Sequence, residues 1–171
     1  GGLRVRMDST LFAMLHGIWG QACFCLACVS ALFNSRGWTS TAAPLAARGV
    51  GTLRRGCMVA LIVTFLQLVV GAAYRHFGHG YALAGHLLWA VVVIIVLGWL
   101  TMWVMEQYPD RPLFPMLGKT LAVLLTVQLV LGGMALLVVM VGNEFSEFLR
   151  WASPSAHVLV GAMLLACVLL I

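Results

Sequence analysis

Three histidines recur at matching places in the chain. Gln67-Leu68-Val69-Val70-Gly71-Ala72 precedes His86, and Gln128-Leu129-Val130-Leu131-Gly132-Gly133 precedes His157. His86 follows Gly71 by 15 residues, and His157 follows Gly132 by 25. Gly1-Gly2 reads as the tail of a third copy, because His16 follows Gly1 by the same 15 residues. Self-similarity of this kind marks a repeated structural unit. Each histidine also has a small residue four positions on, Gly20, Ala90 and Gly161, and position i+4 shares a helix face.

Imidazole is the common axial ligand of heme iron. A small residue one turn beneath it leaves room for a flat porphyrin to lie against the backbone. Small residues in membrane helices equally mark close helix packing, which is the better reading for Gln67 and Gln128 with their glycines. A single histidine near a helix end reads as an interfacial residue wetted by headgroups. Three in register, at a place where ionisable residues are costly and usually functional, favour a heme or other metal role for His86 and His157. A bis-histidine heme then requires facing helices with the two ligand nitrogens roughly 4 Å apart, by analogy with other metal–imidazole bond lengths. His76 and His79 sit in Tyr74-Arg75-His76-Phe77-Gly78-His79-Gly80, where glycine and polar residues indicate a solvent-facing turn. Arg75 is a candidate partner for a heme propionate, since guanidinium suits carboxylate.

The elements that must carry these residues are membrane helices. The chain has 171 residues, 63% hydrophobic and 9% charged, against about a quarter charged in soluble domains. A spanning helix needs about 20 mostly apolar residues, and the stretches 11–33, 57–74, 84–105, 118–141 and 156–171 come close. The expected class is therefore an all-α polytopic protein of five transmembrane helices. The last stretch is short and the first residue is Gly, so a longer parent protein is expected. The net charge of +5 belongs to arginines scattered among short connections, which excludes a nucleic-acid-binding face. Arg36, Arg48, Arg54 and Arg55 crowd the first connection, and Arg111 and Lys119 flank the third; the positive-inside rule places both in the cytoplasm. Residues 75–83 and 142–155 then lie outside, with the histidines near that side. Arg4, Arg6, Arg75 and Arg150 count against this orientation. Cys23, Cys25, Cys28, Cys57 and Cys167 all fall in apolar spans, where a thiol acts as a small apolar residue, and the single CxxC lacks the second pair that a zinc site needs.

In order and spacing these units resemble the heme A synthase family, which oxidises heme O to heme A for cytochrome c oxidase. The resemblance is carried by Gly1-Gly2-Leu3-Arg4-Val5 with Leu15-His16-Gly17-Ile18-Trp19-Gly20-Gln21, by Leu66–Ala72 with Gly85-His86-Leu87-Leu88-Trp89-Ala90, and by Gln128–Gly133 with Ala156-His157-Val158-Leu159-Val160-Gly161. It covers most of the chain. The family has eight helices in two similar four-helix bundles, each with a histidine pair near the outer side. The resemblance implies that residues 1–55 hold the last helix of an N-terminal bundle and a cytoplasmic connection, and that residues 56–171 form the C-terminal heme-binding bundle. His86 and His157 become ligands of heme b. His16 becomes the second ligand of the catalytic pair, acting on heme O. Its partner and the family's Glu-x-x-His-Arg signature lie outside this chain; around His16 the matching positions are Ala13 and Gly17. The loop cysteines of some members have no counterpart.

The activity so implied is oxidation of the heme O methyl group by a membrane oxidoreductase of the bacterial plasma membrane. Its implied partners are the bilayer, heme O synthase, cytochrome c oxidase assembly proteins and further copies of the chain. Two other classes share parts of the pattern. A b-type membrane cytochrome would use His86 and His157 for electron transfer without binding heme O, and a non-enzymatic assembly factor would need neither. Transporters are disfavoured, because Glu106, Asp110, Glu144 and Glu147 all fall in connections rather than at mid-membrane. Residues 143–151 are expected along the interface, anchored by Phe148 and Trp151.

Overall fold

The computed structural model describes residues 9–35 and 47–171. Gly1-Gly2, Arg4, Arg6 and Arg36, invoked above, lie outside the described residues. Five long helices account for nearly all of the rest: α1 (Thr10–Phe33), α2 (Ala47–Phe77), α3 (Gly80–Gln107), α4 (Leu113–Val141) and α5 (Glu147–Leu170), with a 3-10 turn at Gly142–Glu144. All five are long and apolar enough to cross a membrane. Large apolar side chains on their outer faces stay exposed, including Leu88, Ile95, Val123 and Val130. Such a surface requires lipid, so the chain is an all-α integral membrane protein. Helices are the open-ended elements that satisfy their own backbone in hydrocarbon.

Helices α2 to α5 form an antiparallel four-helix bundle, each packing on the next and α5 closing back onto α2. On α3 the inward stripe is Val93, Leu97, Leu100 and Val104, all buried, at the alternating spacing of four and three that knobs-into-holes packing uses. Continued upward, the same stripe runs through Ala90 and His86. On α5 it runs His157, Gly161, Leu164 and Val168, with the last two buried. The core cluster of Leu53, Ala60, Leu97, Leu121, Leu164 and Val168 thus fills the lower bundle and carries the two histidines on its upward continuation.

Helix α1 lies outside the bundle, against α2 and α5. Only Cys25 is buried along it, where it packs with Leu165 and Ala166 and its Sγ lies 3.9 Å from the Ala162 carbonyl. Residues 47–55, assigned above with the first segment, are continuous with α2.

The tight α2–α3 turn departs from the nine-residue connection expected at 75–83. Helix α2 runs on to Phe77 and α3 starts at Gly80, leaving Gly78 and His79 as the turn. Gly78 has φ +70°, and its N–H donates to the Tyr74 carbonyl at 2.8 Å. That is the left-handed glycine cap of a helix C-terminus. His79 is exposed, as expected, and its ring stacks with Tyr81 at 5.0 Å and Phe77 at 6.4 Å. His76 falls in the last turn of α2 rather than in a loop. The second hairpin is longer throughout: α4 runs further past Gly132, residues 142–146 form its connection, and α5 starts ten residues before His157 against six for His86 in α3. The longer glycine-to-histidine interval is absorbed there without moving the histidine from its place. Residues 147–151 are the first turn of α5 itself, capped by Ser146, whose Oγ accepts from the Leu149 N–H.

Candidate functional site

The two hairpins bring His86 and His157 face to face. Their ring centres are 6.3 Å apart and the planes cross at 77°. Both rings sit in the upper bundle, half-buried. Two axial imidazoles on one metal, each bonded at about 2 Å by analogy with other metal–imidazole bonds, place their ring centres about 6 Å apart. The observed separation fits.

Each ring rests in a notch cut by the glycine of the preceding helix. A Cβ at Gly71 would stand 2.8 Å from His86 Cε1 and 3.0 Å from its Nδ1; at Gly132 it would stand 3.0 Å and 3.4 Å from the same atoms of His157. These glycines, rather than the small residues at i+4, give the imidazoles their close approach to backbone. The space over Gly161 is occupied by the Gln128 amide, whose Nε2 is 3.1 Å from where a Cβ would be. Room for a flat ligand over Gly161 is therefore not what that glycine provides here.

The two glutamines contact ring nitrogens of the two histidines. Gln67 Nε2 lies 3.3 Å from His86 Nε2 and also donates to the His86 backbone carbonyl at 3.0 Å. Gln128 Nε2 lies 3.4 Å from His157 Nε2. Sequence reasoning assigned both to packing. The signal that could have raised them was the stripe spacing, which places Gln67 and Gln128 one turn below the glycines that hold the rings. Four polar atoms at the site, His86 Nδ1, His157 Nδ1, Gln67 Oε1 and Gln128 Oε1, are buried without a hydrogen-bond partner. An unpaired buried polar atom costs about 1–3 kcal/mol, so four gathered around two rings call for partners that the fold itself does not supply.

The first hairpin has a tryptophan brace beside its histidine. Trp89, one turn after His86, donates its indole N–H to the Val63 carbonyl at 2.9 Å, tying α3 to the turn of α2 that carries Gln67. The corresponding residue after His157 is Val160. Trp89→Phe should cost about 1 kcal/mol, the scale of interhelical hydrogen bonds in membranes. Reversible unfolding of the detergent-solubilised chain would read this, and an unchanged midpoint would show that the brace contributes nothing.

The remaining candidates stand apart. His16 and Gly20 are exposed on α1. His16 precedes the buried Cys25 by nine residues, which at 3.6 residues per turn sets it on the opposite face, turned away from the bundle. Arg75 is exposed in the last turn of α2, four residues beyond Gly71 and so on the same face. Ala90 lies half-buried one turn below His86. Cys25 and Cys28 have free thiols. Among the described residues no three His, Cys, Asp or Glu gather as a metal cage.

Fold and site together define a polytopic helical membrane protein built on a duplicated hairpin, with one histidine of each copy meeting at its centre. Compared with known protein families, with curated proteins and with solved structures, the chain matches none.

Proposed function

We propose that the chain is a heme A synthase-like membrane oxidoreductase whose α2–α5 bundle holds a heme b between His86 and His157. The observation that carries this is the 6.3 Å separation of the two rings, each contributed by one copy of the repeat. A porphyrin brings four nitrogens of its own and asks the protein only for axial ligands. Two imidazoles are what the repeat supplies, and the absence of a third ligand nearby among the described residues disfavours a bare ion. When bound, such a heme supplies one-electron transfer tuned by burial. The residues divide the remaining work. His86 and His157 would hold the heme iron, Gly71 and Gly132 let the rings reach the backbone, and Arg75, on the Gly71 face, would receive a propionate. His16 is assigned to heme O in a neighbouring bundle, to which the outward face of α1 would turn. The membrane is the bacterial plasma membrane, with the histidine end outward. Heme O synthase and oxidase assembly proteins are the partners this reading entails, alongside further copies of the chain.

The second reading, a b-type cytochrome that only passes electrons, is favoured by one observation: His16 does not join the pair. A reduced-minus-oxidised optical spectrum of the detergent-purified chain titrated with hemin should show a six-coordinate b-type signal. A folded chain without that signal overturns both readings. Conversion of added heme O by the protein separates the enzyme from the cytochrome.

A further inference from the structure

We propose that Gln67 and Gln128 are positioning residues that hold the two imidazoles with the proton on Nδ1 and the lone pair on Nε2, making Nε2 the metal-binding nitrogen. The inference rests on the heme reading for its purpose but not for its geometry.

An amide side chain has one donor end and one acceptor end, and the hydrogen-bond network fixes which is which. At Gln67 the network decides. The amide end that approaches His86 Nε2 also lies 3.0 Å from the His86 backbone carbonyl, and a carbonyl oxygen can only accept. That end is therefore the NH2 group. Its second hydrogen is the one available to His86 Nε2, 3.3 Å away, so a hydrogen bond here requires this ring nitrogen to accept. In a neutral imidazole the other nitrogen then carries the proton. Gln128 repeats the contact at 3.4 Å to His157 Nε2 from the equivalent position of the second hairpin. One observation fits this choice: both Nδ1 atoms face the notches of Gly71 and Gly132, where no metal could reach them past the helix.

The usual role of a group beside a metal-bound histidine is to fix tautomer and ring orientation from the nitrogen that does not bind. Here the same selection is made from the binding nitrogen itself. The amide N–H holds the lone pair in place before loading and gives up that contact when the lone pair is taken. Gln67 keeps its bond to the His86 carbonyl throughout. Gln128 has no such second bond, so His157 is the less firmly held of the two.

The test is nitrogen-15 NMR of the heme-free, histidine-labelled full chain, with the two ring systems assigned from His86→Ala and His157→Ala. Wild type should show the Nδ1–H form as the major species at both sites. Gln67→Leu should move the His86 resonances toward the Nε2–H form and leave those of His157 in place, and Gln128→Leu should do the converse. Gln67→Met and Gln128→Met provide the same deletion with an unbranched chain should leucine prevent folding. Nε2–H imidazoles in wild type, or unchanged tautomers in the glutamine variants, overturn the inference whatever hemin does. Nδ1–H imidazoles in a chain that takes up no hemin leave the inference standing and remove the heme reading instead.

Discussion

His86→Ala and His157→Ala are each expected to abolish the b-type signal of the hemin-titrated chain, while His79→Ala leaves it intact. The two losses should be equally complete despite the different settings of the two rings. A heme held as proposed would be one unit shared by the two hairpins. Replacing a residue that merely supports a metal ligand costs about 10–100-fold in metal affinity, and removing the ligand itself should cost more than about 100-fold. Neither variant should unfold the chain. The bundle is held by the core of Leu97, Leu100, Leu121 and Val104, each fully buried, and these lie along α3 and α4 below the rings. Circular dichroism and the elution position of the detergent complex should match wild type. His79 is the informative control because it is also a histidine at this end of the bundle, yet its ring is occupied in exposed stacking on Tyr81 and Phe77. A full b-type signal surviving in either alanine variant would show that the two rings do not share one iron.

The helices were legible in the sequence because their outer faces must be apolar in lipid. Their ends were less so. Hydropathy follows the bilayer, whereas the helical backbone continues past it through Arg54 and Arg55 at one end of α2 and Arg75 and His76 at the other. The glycines around His79 read alike in one dimension, but only Gly78 takes the left-handed conformation; Gly80 is the first residue of α3. The repeat brought out His86 and His157, since two equivalent positions in antiparallel hairpins related by a local two-fold must face each other if both point inward. It did not reveal what Gln67 and Gln128 do. A glutamine's role depends on which atom of a neighbouring helix its amide meets, and the rotation and height of α2 against α3 leave no trace in the order of residues. The purpose of Gly161 is hidden for the same reason. In the sequence it looks like space beneath a ligand, whereas the neighbouring helix fills it with Gln128, and the glycines that cradle the rings are on the helix before.

Gly71→Ala should weaken hemin binding by up to about 10-fold, Gly132→Ala by less, and Gly133→Ala not at all. The order follows from geometry. An added methyl at Gly71 would come 2.8 Å from His86 Cε1 and 3.0 Å from Nδ1, closer than carbon and nitrogen can approach, so the ring must move. An imidazole has no flexible end to yield. It can only turn as a whole about two side-chain torsions, and leaving a staggered well by about 30° costs about 0.5–1.5 kcal/mol. The Trp89 bond to Val63 also stops α3 from backing away. At Gly132 the same methyl meets His157 at 3.0 Å and 3.4 Å, a conflict that a few tenths of an ångström relieve, and no tryptophan braces that hairpin. Gly133 has nothing within 4 Å. A general loss of structure cannot imitate this order, because alanine favours a helix interior over glycine by about 1 kcal/mol and acts in that direction at all three positions. Hemin titration of the three variants, with unfolding midpoints measured alongside, reads both quantities. Wild-type affinity in Gly71→Ala, or a greater loss at Gly132 than at Gly71, would show that the notches do not set the place of the rings.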